Sequence, residues 1–289
     1  MFSSPKDIKE KQYEDFFSHI GAGFGKPLLT MHNNTEGTVS YTNLLCIPSS
    51  KPFDLFNPDR KSSLKLYINR VFITDKCDNL IPAYLRFVKG IVDTQDIDLN
   101  VSREMLQNNP AVAKISKSIV GKILRELKKI ADKDKAKYIQ FWNEFGPLIK
   151  EGVATDFTYK DDLAKLLRFE STALEAGKLT GLDAYVDRMA SEQKEILFLF
   201  GKSRKSIEAG PYLEALRARS LEVLLLTEPV DEYVMQSVRD YKEFKVISAD
   251  SEDLKLDKLD QEPEGESLDK KSFKKLCKWL KDKLKDRLS

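Results

Sequence analysis

The chain has two histidines in 289 residues, His19 and His32, and three cysteines, Cys46, Cys77 and Cys277. So few histidines leave no room for a Ser-His-Asp triad, an HExxH zinc motif or a histidine-rich metal site. The cysteines are odd in number, far apart and in no CxxC spacing, which excludes a thiolate metal centre and predicts reduced thiols in a cytoplasmic protein. No run of about 18 apolar residues occurs, so no membrane-spanning helix is expected. Met1-Phe2-Ser3-Ser4-Pro5 lacks the basic start and apolar stretch of a signal peptide, and the Asn33-Asn34-Thr35 sequon is therefore read as meaningless. There is no GxxxxGK[ST] phosphate loop, and Gly21-Ala22-Gly23-Phe24-Gly25 does not fit GxGxxG either, so that cluster reads as a plain turn. Nor is there an excess of one charge: 48 basic residues face 46 acidic ones, which excludes a global field drawing the chain onto nucleic acid or an anionic membrane.

What is present is the material of a globular protein. Apolar residues make up 41% and charged residues 33% of the chain, and its length predicts about two domains. Asp7–Ile20 reads as a helix before the glycine turn. Val39–Ile47 and Leu64–Ile73 read as two paired strands, Leu80–Gly90 as a short helix, and Ile91-Val92-Asp93 as a further strand. From Asn100 or Ser102, either of which could cap it, one long helix is expected through Met105, Leu106, Ile115, Ile119, Ile123 and Leu127. Aromatic and leucine positions over 131–170 are spaced for packed helices. Beyond them Leu182–Met189 and Ser206–Arg219 read as helices, and Ile196–Gly201, Glu222–Thr227 and Phe244–Ser248 as strands of a mostly parallel sheet.

The fold class is thus α/β (α+β): a large subdomain over 1–130, a helical connector over 131–172, a small subdomain over 173–250, and a tail over 251–289. In that tail, residues 251–269 hold eight acidic residues and two lysines, whereas 270–289 hold nine basic and two acidic residues. A mobile acidic linker leading into a helix with Phe273, Leu276, Leu280, Leu284 and Leu288 on one stripe is expected. Trp142 and Trp279 are expected in the core or at a helix interface.

Asp98 to Asn109 is the most informative segment. If Ser102 caps a helix, Glu104 suits its positive first turn, but Arg103 does not. Arg103 and Gln107 lie four residues apart, on one helix face. A guanidinium there can grip phosphate oxygens bidentately, with helix-start amides adding donors; the alternative is an exposed arginine in a weak surface ion pair.

Leu66 to Ile73, Leu80 to Asp93 and Asp98 to Gln107 follow one another in an order that resembles the middle domain of heat-shock-protein-ninety chaperones, of the bacterial HtpG type. Pro52 to Phe56, Phe141 to Gly152, Leu182 to Met189 and Glu228 to Tyr233 extend the likeness over roughly 8–250, and the tail resembles the entry to that family's C-terminal domain. The resemblance implies that the arginine and glutamine of Ser102-Arg103-Glu104-Met105-Leu106-Gln107 reach ATP held in a separate N-terminal domain. Arg103 would then stabilise the γ-phosphate during hydrolysis, with Gln107 beside it.

The same likeness implies ATP with magnesium bound mainly by that other domain, no metal site in this segment, and no hydrolysis by the segment alone. Its partners would be the N-terminal ATPase and C-terminal dimerisation domains of one chain, a second copy in a homodimer, and unfolded clients, with neither nucleic acid nor membrane. Phe24, Phe53, Phe56 and Phe72 are candidates for a client-binding surface. Phe24 replaces a tryptophan of many relatives, Asn69 stands where arginine is frequent, and a lysine-rich insertion before Leu64 is missing. Two other readings compete: a non-catalytic docking module in which Arg103 is structural, and a DNA-acting relative of the gyrase and mismatch-repair ATPases. The latter use lysine for the phosphate contact, which the arginine motif and the near-neutral charge oppose.

Overall fold

The computed structural model describes residues 7–21, 26–57, 63–75, 77–99, 105–106, 108–191, 193–251, 254 and 269–283. Helix α1 (Glu10–His19) inserts its buried Phe17 against Cys46. The strands β1 (Leu29–Thr35), β2 (Tyr41–Ile47), β3 (Ser63–Ile68), β4 (Val71–Thr74) and β5 (Lys89–Thr94) form one sheet in the order β1-β2-β5-β3-β4. Only β3 and β5 run parallel. Period-two alternation sorts the faces of β2: Tyr41, Leu45 and Ile47 enter the main core, while Cys46 faces α1.

This sheet corrects two expectations. β2 pairs with β1 and β5 and has no partnership with β3, because β5 returns between them. The run Leu64–Ile73 is not one strand but a hairpin, turning at Asn69 and Arg70 with φ of 48° and 68°. Two successive left-handed residues are what a two-residue turn of matching twist requires, and asparagine tolerates that region better than most residues.

Helix α2 (Pro110–Lys133) lays Val112, Ile115, Ile119, Ile123 and Leu127 on the core. The expected long helix is thus divided. Asn109 caps α2, its Oδ1 accepting from the Ala111 amide at 2.8 Å, and Pro110 opens it. Proline tolerates the first helical turn, where its missing N–H is not needed, so α2 starts there; Met105 and Leu106 are helical apart from it, and the caps expected at Asn100 or Ser102 lie outside the described residues. Helix α3 (Lys135–Thr155) follows after Asp134, with Trp142 buried in it as expected.

After α4 (Lys160–Ala164), the segments β6 (Glu170–Ser171), α5 (Leu182–Val186), β7 (Glu195–Phe200), α6 (Arg204–Glu208), α7 (Tyr212–Arg217), β8 (Val223–Leu226), α8 (Val230–Ser237), β9 (Asp240–Tyr241) and β10 (Phe244–Ser248) complete a second unit. Its sheet has the order β6-β8-β7-β10-β9, with β8, β7 and β10 parallel and the two edge strands antiparallel. The helix expected over 206–219 is interrupted by Gly210 and Pro211, giving α6 and α7. Ile196, Phe198, Leu224 and Leu226 face the main core, whereas Leu197, Leu199, Val223 and Leu225 face a second cluster under α6 and α7. Both faces being covered explains why β7 and β8 read as continuous apolar runs.

The main core is therefore shared by the two sheets and the helices between them. In α9 (Lys270–Lys283), Phe273, Leu276, Trp279 and Leu280 are exposed, so Trp279 is not a core residue here. Leu284, Leu288 and almost all of 251–269 lie outside the described residues.

Candidate functional site

Arg103 and Gln107, as well as Phe24, lie outside the described residues. The chain around the first two is pinned on both sides. Upstream, the Thr94 hydroxyl donates to the Ser40 carbonyl at 2.9 Å and the Asp96 carboxylate accepts from the Ser40 amide at 2.5 Å. Downstream, Leu106 is buried and Asn109 caps α2. Leu99 and Met105, on either side of residues 100–104, stand 50% and 61% exposed. Apolar side chains held at the surface between buried anchors (Ile97 and Leu106) suit contact with another domain. Among the described residues no group of His, Cys, Asp and Glu could hold a metal ion.

A groove of about 850 Å³ lies where α3 meets α8. Three rings line it: Phe56 at 51%, Phe157 at 84% and Tyr233 at 63% exposure. Each is presented by a fixed local structure. In the turn Pro52–Asn57, Leu55 is buried and accepts at its carbonyl from Arg86 Nε at 3.0 Å. Arg86 in turn binds Glu151 of α3 through two contacts of 2.8 and 2.9 Å. The turn is thus clamped to α3 while Phe53 and Phe56 face out.

Phe157 sits in a second braced turn. Asp156 Oδ1 accepts from the Thr158 and Tyr159 amides at 2.8 and 3.1 Å, and Oδ2 from the Tyr84 hydroxyl at 2.8 Å. Burial, with Asp156 as the next cause, holds the Tyr84 phenol well above its ordinary pKa, so it stays a donor. With the Asp156 carboxylate and the Thr158 and Tyr159 amides paired, the ring of Phe157 is exposed by a braced turn.

Between the same two helices, Lys150 of α3 and Asp231 of α8 form an ion pair of 2.7 Å, their side chains only 3% and 2% exposed. Glu228 adds a contact at 3.2 Å, and the ammonium lies over the rings of Phe169 and Trp142 at 5.3 and 5.8 Å. Burial pushes the Asp231 carboxyl above the usual carboxylate range despite Lys150 beside it. The pair ties α3 to α8 inside the core, where breaking it by removing one partner would leave an uncompensated buried charge.

Of the candidates read from sequence, Phe56 lines this groove and Phe53 stands on the same turn, fully exposed. Phe72, half exposed, packs edge-to-face on Tyr67 at 5.5 Å in the β3–β4 hairpin, away from the groove. Phe157 and Tyr233 were not foreseen. The signal for Phe157 was a lone aromatic in the polar turn Thr155-Asp156-Phe157-Thr158; that for Tyr233 was the Glu228–Tyr233 run.

A family profile described as Hsp90 protein matches residues 2–289. The chaperone protein HtpG of Geobacter sulfurreducens is 45% identical over 289 residues, covering 99% of this chain and 44% of that protein. HtpG of Paramagnetospirillum magneticum is 47% identical over 264 residues, covering 91% of this chain and 42% of that protein. The chain thus spans less than half the length of these curated relatives. The solved middle domain of a Plasmodium falciparum heat shock protein matches with a TM-score of 0.77 at 31% identity, over 86% of this chain and 98% of that one. With its two sheets, its shared core and its Asp98-to-Gln107 segment in the expected order, this chain belongs to the Hsp90 protein family and has the fold of that family's middle domain.

Proposed function

We propose that the chain is the middle segment of an ATP-dependent molecular chaperone, acting between an N-terminal ATPase domain and a C-terminal dimerisation domain in a cytoplasmic homodimer. Arg103 contacts the ATP γ-phosphate and stabilises the charge that develops there, and Gln107 supports it. ATP and magnesium are held mainly by the N-terminal domain. The anchored, apolar-rimmed surround of residues 100–104 supports this reading, since it offers a firm base for a residue that must reach into another domain. The groove between α3 and α8, with the neighbouring Phe53, is the client-binding surface.

The observation that carries the client-binding part of this reading is the groove itself: three large exposed rings, on braced turns and a helix, converge where α3 and α8 meet. Exposed aromatic area is what binding a partly folded chain needs. Because the groove needs no nucleotide, it equally favours a second reading, a non-catalytic docking module for clients or cochaperones.

Steady-state ATP turnover of the chain joined to its N-terminal domain separates the two. Arg103→Ala is expected to lower turnover roughly tenfold or more with ATP affinity unchanged. Unchanged turnover would leave the docking module and remove the catalytic role.

A further inference from the structure

The groove's apolar floor is indifferent to the sequence of whatever it binds; its rim is not. Three charged side chains line it, Glu151, Lys160 and Arg239. Glu151 is neutralised by Arg86 through its two contacts of 2.8 and 2.9 Å. Among the described residues, neither Lys160 nor Arg239 has an ion-pair partner. Arg239 is oriented by its Nε donating to the Gln236 carbonyl at 3.3 Å, which leaves its remaining donors free for a ligand. Asp162, a nearby acidic group on α4, is taken by Lys165 at 2.8 Å. Asp161, Glu232 and Asp240 neighbour lining residues in sequence but do not line the groove. The surplus at the rim is therefore two positive charges around three rings.

We propose that this groove selects, among unfolded segments, those in which large apolar side chains lie within a few residues of carboxylates. This inference rests on the reading of the groove as a client surface and adds what chooses among clients. The rings of Phe56, Phe157 and Tyr233 take the apolar side chains, and Lys160 and Arg239 take the carboxylates. Both cations are at the surface, so each pair is weak and screened by salt. Discrimination comes from the two acting together, and from repulsion of basic segments by the same charges.

The test uses the full chain and three labelled peptides that share a Phe- and Leu-rich centre flanked by two glutamates, two glutamines or two lysines, with binding read by fluorescence anisotropy. The glutamate peptide is expected to bind roughly tenfold more tightly than the glutamine peptide at low salt, the lysine peptide more weakly than both, and the gap should close near 0.5 M salt. Lys160→Glu with Arg239→Glu is expected to invert the order. Equal affinities for all three peptides, or an order unmoved by the double charge reversal, would overturn the selection.

Phe157→Ser with Tyr233→Ser, both at exposed positions, is expected to weaken every peptide. A loss across all three without any charge order would overturn the selection and keep the client surface, whereas no loss would overturn the client reading of the groove as well. A single-stranded oligonucleotide that displaces the glutamate peptide from the wild-type groove at equal charge would point to a nucleic acid in place of a polypeptide, and would overturn the proposal.

Discussion

At Gly90 the main chain takes φ of 145°, and a β-carbon there would lie 2.2 Å from the Leu44 carbonyl oxygen and 2.9 Å from the Leu45 Cα. Both atoms belong to β2, paired directly across from β5, so neither can move without disturbing the middle of the first sheet. Gly90→Ala is expected to lower stability by roughly 2–4 kcal/mol through strain and clash together, measured by urea unfolding; a change below about 1 kcal/mol would mean that the two strands slide apart readily. Cys46, buried in the neighbouring stretch of β2, illustrates a second residue-level control. Burial pushes its thiol up to about 11, so it stays protonated and inert at neutral pH despite a weak contact from Thr30. The sequence showed three unpaired cysteines, but only the packing distinguishes the buried Cys46 and Cys77 from the exposed Cys277.

At the scale of elements, the start of α2 is set by Asn109 and Pro110 and not by apolar spacing. Periodicity alone ran the helix from Asn100 or Ser102 through Leu127, because Met105 and Leu106 fall on the same apolar spacing as Ile115 and Ile119. The Asn109-Pro110 pair was the overlooked signal: a cap followed by a residue that suits only the first turn. Asn109→Ala is expected to lower stability by about 1 kcal/mol, visible as a shift of a few degrees in the thermal midpoint; no shift would mean the proline alone sets the start. The other departures have the same origin. Helices, strand positions and the parallel character of the second sheet were legible because local alternation and apolar runs report burial directly. The insertion of β5 between β2 and β3 was not, since strand order depends on distant pairings that leave no local trace. At the candidate groove, the exposure of Phe53 and Phe56 followed from their turn-rich stretch, whereas a groove assembled from residues as far apart as Phe56, Phe157 and Tyr233 becomes visible only once α3 and α8 are packed together.

The whole molecule hinges on that same packing. One continuous core runs from Leu45 and Val92 of the first sheet, through Phe141 and Phe145 of α3, to Ile196 and Leu224 of the second. The Lys150–Asp231 pair lies buried across the junction. Two sheets joined in this way should unfold as one. In a Trp279→Phe background, Trp142 fluorescence reports the junction and far-UV circular dichroism reports all helices, and their urea transitions are expected to coincide. Asp231→Asn should lower stability by about 3 kcal/mol, at the lower end for a buried pair that loses one partner, because Glu228 remains beside the stranded ammonium. Removing both charges together, with Lys150→Met and Asp231→Leu, should restore most of that loss, since desolvating the pair opposes folding as strongly as its attraction favours it. If the double variant instead lost as much as the single one, the pair would be contributing net attraction and not only register. If the two probes separated even in the unaltered junction, the shared core would not couple the sheets, and the groove above it would open and close with their independent motion.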